Sequence, residues 1–293
     1  MKVTTLDGDM KMLLSPDIKT VKFLGTEIPE PRLLLDFLGF EKHVVQIRAK
    51  RGSQIWPGWY DHAAYYIVDL PPEKVFGPGQ TVAIPPCVKA ADYEFEIACF
   101  IGKTALIDNE SEALKFFQDN CWLTIMNDWS ARDIQKKDIE GLGPNNSKSI
   151  MGKSFGPGLV HASQLKMDNN GVMDLEMVLT VDGTERCRTN YNTIYHTHPV
   201  SGKRAAWSFP RIIAWLGQQN ITVHAGYIIG SGTVGNGCIA EFSAKLDPKT
   251  QDIIQPAVYP WLKENDVVTM EVQHIGTLEN KLCLQSPTLA GAR

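Results

Sequence analysis

The stretch Asp92-Tyr-Glu-Phe-Glu-Ile-Ala-Cys-Phe-Ile-Gly102 sets the terms on which the rest of this chain is read. Its aromatic and β-branched residues mark a strand. Side chains on a strand alternate with a period of two, so Glu94 and Glu96 point to one face. Two like charges a few ångströms apart on a mostly apolar strand repel strongly unless a cation sits between them. A solvated strand edge is the plain alternative. A third carboxylate, Asp128, follows within Asn127-Asp128-Trp129-Ser130-Ala131-Arg132-Asp133-Ile134-Gln135. Three carboxylates on two rigid elements, with no ligating cysteine or histidine beside them, suit a hard cation that prefers oxygen.

The composition bounds what such a cation could serve. A chain of 293 residues, 43% of them hydrophobic, can bury a substantial core, either as one large domain or as a small domain joined to a larger one. Its formal net charge of -4 leaves no electrostatic footprint for nucleic acid or an anionic membrane. The opening residues, Met1 to Asp9, lack the apolar run of a secretory signal, and no stretch reaches the length of a membrane span. Cys87, Cys99, Cys121, Cys187, Cys238 and Cys283 are scattered without a CxxC spacing, as expected of buried thiols in a reducing compartment. These features predict a soluble, cytoplasmic protein, with neither nucleic acid nor membrane as partner.

Along the chain, short β-branched runs alternate with turn signals. They are Thr81 to Ile84 before Pro85-Pro86, Leu175 to Val181 before Asp182-Gly183, Tyr227 to Ile229 before Gly230, and Val267 to Val272. Asp182-Gly183 is a hairpin turn. Helical patterns are fewer: Arg32 to His43, Ser111 to Asn120, Ser130 to Lys137 and Ala205 to Gln219. The pattern is that of a β-dominated α+β protein. Residues 1–55 read as a small N-terminal domain and 56–293 as the catalytic one, joined through the Gly-, Pro- and Trp-rich segment from Arg51 to Asp61.

Ser130-Ala-Arg-Asp133 has the form of a capping box, which starts a helix at Ser130 and leaves Asp128 in the turn before it. Arg132 and Gln135 then share a helix face, although surface pairing of Arg132 with Asp133 or Glu140 is the ordinary alternative. Gly152-Lys153-Ser154 has the form of the end of a phosphate loop, but Ser147 stands where the first glycine belongs and no strand precedes it. Gly230-Ser-Gly232-Thr233-Val-Gly235 fits G-x-G-x-x-G, yet the following Cys238 to Ala244 reads as a strand. Without a helix N-terminus to receive a pyrophosphate, the turn is better suited to bringing backbone close to a smaller anion. His196-Thr-His198 reads as a loop or strand edge. His62, alone in a Gly- and Trp-rich segment, reads in isolation as structural.

Taken together these segments resemble the fumarylacetoacetate hydrolase family across most of the chain. The resemblance rests on Tyr93-Glu-Phe-Glu96, Met126 to Gln135, Gly152-Lys-Ser-Phe-Gly156, Gly230-Ser-Gly-Thr233 and Ile275-Gly-Thr-Leu-Glu-Asn280. It implies a β-roll catalytic domain, usually a homodimer, that binds Mg²⁺ (or Mn²⁺ or Ca²⁺) through carboxylates. The family's metal ligands fall on Glu94, Glu96 and Asp128. Its substrate-binding positions fall on Arg132, Gln135, Gly232 and Thr233, its lysine on Lys153, and its general base on His62. Tyr65 stands where many members carry the glutamate that orients this base, and Glu241 matches the position that supplies it in the others. The additional upstream aspartate ligand of some members has no visible counterpart. The implied reaction is hydrolytic C–C cleavage of a fumarylacetoacetate- or acylpyruvate-like acid through a metal-stabilised enolate. Decarboxylation of a 2-oxo acid, or isomerisation or tautomerisation of a dienoate, is the alternative. A binding protein that uses the cation only structurally is a reading of a different class. Lys136 to Ile150 reads as a lid.

Overall fold

The structure is a computed structural model that describes residues 19–141, 143–243, 245–246, 253–255 and 257–285. In chain order, the strands of its two main sheets are β1 (Leu33–Phe37), β2 (Tyr65–Asp69), β3 (Val75–Phe76), β4 (Thr81–Ile84), β5 (Phe95–Ile101) and β6 (Cys121–Asp128). They continue with β7 (Lys153–His161), β8 (Glu176–Val181), β9 (Thr184–Asn190), β10 (Tyr227–Gly230), β11 (Val267–Val272) and β12 (Gly276–Leu284). The helices are α1 (Glu41–Lys50), α2 (Glu110–Asn120), α3 (Arg132–Glu140), α4 (Asn145–Ser149) and α5 (Phe209–Gln218).

The first sheet runs β2-β1-β10-β5-β6-β7-β3 and the second β9-β8-β11-β12-β4. Most neighbours are antiparallel; β1 with β10, β3 with β7 and β4 with β12 are parallel. The two sheets curl into a β-roll around one continuous core. Phe95, Ile97, Leu123 and Ile125 of the first sheet join Leu179, Met270 and Leu278 of the second, all fully buried. Each such side chain contributes roughly 1.5–3 kcal/mol by leaving water. All seven residues of β5 are buried, so its apolar run is nearly continuous and Glu96 is its one charge. Asp182 and Gly183 form the β8–β9 turn with φ of 50° and 73°, the left-handed conformations that a two-residue hairpin demands.

Three local expectations change. The segment from Arg32 to His43 is a strand followed by the start of a helix, because Leu33, Leu34 and Leu35 pair in register with Tyr227, Ile228 and Ile229 of β10. An apolar run buried on both faces carries no period that separates strand from helix. β1 lies inside the seven-stranded sheet, so Leu33–Phe37 shares that sheet with strands from beyond residue 55; residues 1–18 lie outside those described. Arg204–Ala206 is a short strand, and α5 starts only at Phe209, with Pro210 in its first turn. The stretch after the glycine-rich turn is a 3₁₀ turn, Ile239–Phe242, not a strand. All six cysteines are free thiols. No helix among the described residues is long and apolar enough to cross a membrane.

Candidate active site

Three strand positions converge at one end of the first sheet. Asp36 on β1 lies opposite Tyr66 of β2 and Gly230 of β10. Glu96 lies on β5, and Asp128 closes β6 opposite Lys153 of β7. Ligand oxygens of Asp36, Glu96 and Asp128 fall within 4.8 Å of one another, and all three residues are buried. Two glycines are needed to fit these carboxylates. A Cβ on Gly230 would sit 2.3 Å from Asp36 Oδ1. Gly232, at φ +82°, would drive a Cβ to 2.4 Å from the Phe37 carbonyl. The Gly232 N–H and the Thr233 hydroxyl donate to the two oxygens of Glu96, at 3.0 and 3.2 Å. The small anion held by the glycine-rich turn is therefore the protein's own Glu96, and Gly232 and Thr233 position a carboxylate before they meet any substrate.

Cations bind the outer side of this cage. Arg132 donates through Nε to Asp92 at 2.7 Å, through Nη2 to Glu94 Oε1 at 2.7 Å, and through Nη1 to Gln135 Oε1 at 3.0 Å. The expected shared face of Arg132 and Gln135 is present, whereas the surface pairing with Asp133 or Glu140 is not. Asp133 instead accepts from the Lys89 and Ala90 amides, and α3 begins at Arg132 with no side-chain cap. Ser130, freed from capping, accepts from Lys148 at 2.8 Å. Lys148 also donates to Glu94 Oε2 and, at 2.5 Å, to Asp128 Oδ2. Lys153 Nζ lies 2.6 Å from Asp128 Oδ1, a Coulombic contact without hydrogen-bond alignment, and donates to the Lys148 carbonyl. Lys153 is wholly buried beside Asp128 and does not line the cavity, whereas the sequence reading has it donate to substrate.

Electrostatics then separate the carboxylates. Burial alone would raise Glu94, but the Lys148 and Arg132 charges outweigh it and hold Glu94 well below the ordinary value. Glu96 is pushed well above it, first by burial and then by the charges of Asp36 and Asp128. Burial and the Asp128 charge raise Asp36 to about 7. The Tyr66 hydroxyl, with one proton to give, lies 2.6 Å from Asp36 Oδ2 and 2.5 Å from Asp128 Oδ2. Asp36 Oδ1 accepts no hydrogen bond from a protein donor among the described residues. Around the cage, five buried carboxylates (Asp36, Asp92, Glu94, Glu96 and Asp128) face three buried cations (Arg132, Lys148 and Lys153). Counted as fully ionised, the five carboxylates exceed the three cations by two charges, an excess that burial offsets here by raising Asp36 and Glu96; that excess and the Asp36 oxygen without a hydrogen bond fit an oxygen-ligated divalent cation.

The structure brings two of the three expected ligands together and adds a third carboxylate. Asp36 joins Glu96 and Asp128, while Glu94 stands beside them with both oxygens engaged by Arg132 and Lys148. Asp36 also supplies the upstream aspartate that had no visible counterpart. Its signal was a lone charge inside Leu33-Leu-Leu-Asp36-Phe.

The histidine assignment also changes. Glu241 meets His43, not His62: His43 Nδ1 lies 3.0 Å from Glu241 Oε1, and Glu241 Oε2 accepts the Cys238 amide at 3.2 Å. A carboxylate only accepts, so Nδ1 carries the proton and Nε2 is left free on the cavity side. His62 is exposed, with its ring edge toward Trp215 at 6.1 Å, and it does not line the cavity. Trp59 is fully buried and donates to the Leu38 carbonyl, so it packs the core rather than the pocket. Reading residues 32–43 as one helix concealed that Asp36 ends on a strand and His43 on the first turn of α1, both facing the same space.

That space is a cavity of about 250 Å³. Asp36, Glu94 and Glu96 form its floor; His43, Arg132, Gln135 and Lys148 its polar walls; and Val44, Ile47, Tyr65 and Ile139 its apolar side. Arg48 and Arg51 of the α1 end sit at the rim. Neither has an acidic ion-pair partner among the described residues. Desolvation, and then the charges of Arg132 and Arg48, push Arg51 below the ordinary arginine value. The expected lid is docked: Asp138 holds α4 through Asn146 and the Ser147 amide, and α4 carries Lys148 into the cage.

Residues 33–283 match the family described as fumarylacetoacetate (FAA) hydrolase C-terminal. A mitochondrial oxaloacetate tautomerase of Bos taurus is 25% identical over 237 residues, covering 76% of this chain and 63% of the relative, so the chain spans less than two thirds of that protein's length. Among solved structures, a fumarylacetoacetate hydrolase from Exiguobacterium antarcticum aligns with a TM-score of 0.59 at 20% identity, covering 87% of this chain and 76% of that one. A 5-carboxymethyl-2-hydroxymuconate delta-isomerase from Mycobacterium smegmatis aligns with a TM-score of 0.57 at 20% identity, covering 88% and 79%.

Proposed function

Because the chain belongs to the fumarylacetoacetate hydrolase family, we propose that it is a divalent-metal-dependent hydrolase that cleaves a C–C bond of a β-diketo or 2-oxo acid. The observation that carries this reading is the His43–Glu241 pair opening onto the same cavity as the carboxylate cage. Mg²⁺ or Mn²⁺ held by Asp36, Glu96 and Asp128 would supply the positive charge that the oxygens of such an acid need as its C–C bond breaks. His43, fixed by Glu241 in one tautomer, takes a proton from water at Nε2 as the hydroxide adds to the carbonyl carbon of the scissile bond, and returns it to the carbon that departs when that C–C bond breaks. Arg132 has engaged three of its five N–H donors and offers the other two, and the Gln135 amide points its N–H groups away from Arg132. Both can hold the acid's oxygens. Arg48, stacked on the Trp56 ring, and Arg51 line the cavity without an acidic ion-pair partner among the described residues and suit a second carboxylate, so a diacid is the preferred substrate class.

A second reading, keto–enol tautomerisation of a 2-oxo diacid, is favoured by the name of the bovine relative. In that case His43 moves a proton between carbon and oxygen and no water is consumed. Supplying acetylpyruvate and oxaloacetate with Mn²⁺ separates the two. Pyruvate release from acetylpyruvate supports hydrolysis, whereas accelerated loss of the oxaloacetate enol absorbance with no cleavage product supports tautomerisation. With either substrate, His43→Ala should lower turnover by roughly 10²–10⁴-fold and His62→Ala should leave it intact; the reverse pattern removes His43 as base.

A further inference from the structure

Lys148 is an unusual occupant for a centre that lacks two positive charges. It is buried, and its ammonium carries three N–H donors that meet three acceptors: Glu94 Oε2, Asp128 Oδ2 and Ser130 Oγ. No donor is left over, and the ammonium further lies 5.7 Å over the Tyr66 ring. Lys153 differs. It is set on β7 in ladder register with Asp128, whereas Lys148 sits on α4, a five-residue helix tied through Asp138. The two lysines thus grip opposite oxygens of one aspartate from elements of unequal rigidity.

From this geometry we propose that Lys148 is a built-in counter-cation that holds Glu94 and Asp128 together in the metal-free protein and competes with the divalent cation for Asp128. The inference rests on the reading of Asp36, Glu96 and Asp128 as a cation cage. A cation on Asp128 would lie within a few ångströms of the ammonium, and like charges so close in a buried site repel strongly. Cation binding and the hold of Lys148 on Asp128 therefore oppose each other. Two consequences follow. The native fold tolerates loss of metal, because Lys148 neutralises part of the cage. And the affinity for metal is set lower than three buried carboxylates would otherwise allow.

The test measures Mn²⁺ affinity of the full chain by electron paramagnetic resonance, with thermal unfolding in EDTA alongside. Lys148→Met should bind Mn²⁺ at least tenfold more tightly than the wild type. It should also unfold at lower temperature in EDTA, with excess Mn²⁺ restoring it. Equal or weaker Mn²⁺ binding by Lys148→Met, beside clear binding by the wild type, overturns the inference and leaves the cage reading standing. Absence of Mn²⁺ binding in both overturns both. Should Lys148→Met fail to fold, Ser130→Ala carries the test. It removes one acceptor of the ammonium without altering charge, and it should tighten Mn²⁺ binding a few-fold; an unchanged affinity there also overturns the proposal.

Discussion

Replacing Glu241 with Gln probes the site most sharply, because the change is nearly isosteric and its consequence can be followed atom by atom. The Cys238 amide, 3.2 Å from Glu241 Oε2, requires an acceptor, so the side-chain oxygen of the introduced glutamine turns toward it. The side-chain NH₂ then faces His43 Nδ1, where the native contact is 3.0 Å. Nδ1 becomes the acceptor and the ring proton moves to Nε2, the nitrogen that faces the cavity. A base protonated on its working nitrogen is idle, and recovering the active tautomer means giving up the new hydrogen bond and the native charge-assisted one. Charge-assisted hydrogen bonds contribute about 1.5–3 kcal/mol. At about 1.4 kcal/mol per tenfold, kcat should fall roughly 10- to 150-fold while KM stays near its native value. Removing the imidazole altogether in His43→Ala should cost roughly 10²–10⁴-fold. The double variant should match His43→Ala, since the glutamate acts only through the histidine. The assay is the initial rate of acetylpyruvate cleavage at saturating Mn²⁺, with imidazole ¹⁵N shifts reporting the tautomer. A wild-type kcat in Glu241→Gln, or additive losses in the double variant, would refute the reasoning.

Two other perturbations address the cage and the core. Gly230→Ala drives a Cβ to 2.3 Å from Asp36 Oδ1 and 2.9 Å from Met126 Cε. Urea melts should show a loss of about 1–3 kcal/mol, with weaker Mn²⁺ binding. Gly158→Ala, whose Cβ meets nothing within 4 Å, should show neither, and equal effects from both would discredit the steric argument. His196 is buried against the Trp59 and Tyr60 rings with neither ring nitrogen hydrogen-bonded, and burial lowers its pKa from the ordinary 6.5. The folded state then binds fewer protons than the unfolded chain just below pH 6.5, so His196 contributes stability that is lost as pH falls through that value. Asp36, raised to about 7 by burial, acts in the opposite sense, because the folded state retains a proton that the unfolded chain sheds. The comparison must therefore be differential: melting temperatures from about pH 8 to 5 should fall less steeply in His196→Phe than in the wild type, and parallel curves would count against the assignment.

Much of the fold was legible because β-branched and aromatic runs broken by turn residues have few other ways to fold. β5, β8 and β11 appear close to where the pattern puts them, and Asp182-Gly183 turns as its composition demands. The site was legible in part. Glu96, Arg132 and Gln135 line one cavity and Asp128 lies beside Glu96, because strand parity and helix spacing are local rules. Asp36 and His43 were not recovered, since three consecutive leucines before Asp36 carry no period, and only parallel pairing with β10 makes them a strand.

Alone, the sequence set Glu94 and Glu96 on one face, because strand side chains alternate, and made an oxygen-preferring cation the expectation, because nothing nearby is soft enough for another kind of metal. Which carboxylates form the cage, which histidine Glu241 orients, and where Lys148 sits were decided only by tertiary structure. Those partners come from β1, α1 and α4, each far along the chain from the residue it meets. Long-range pairing and charge balance, rather than any local spacing, bring them within hydrogen-bond distance.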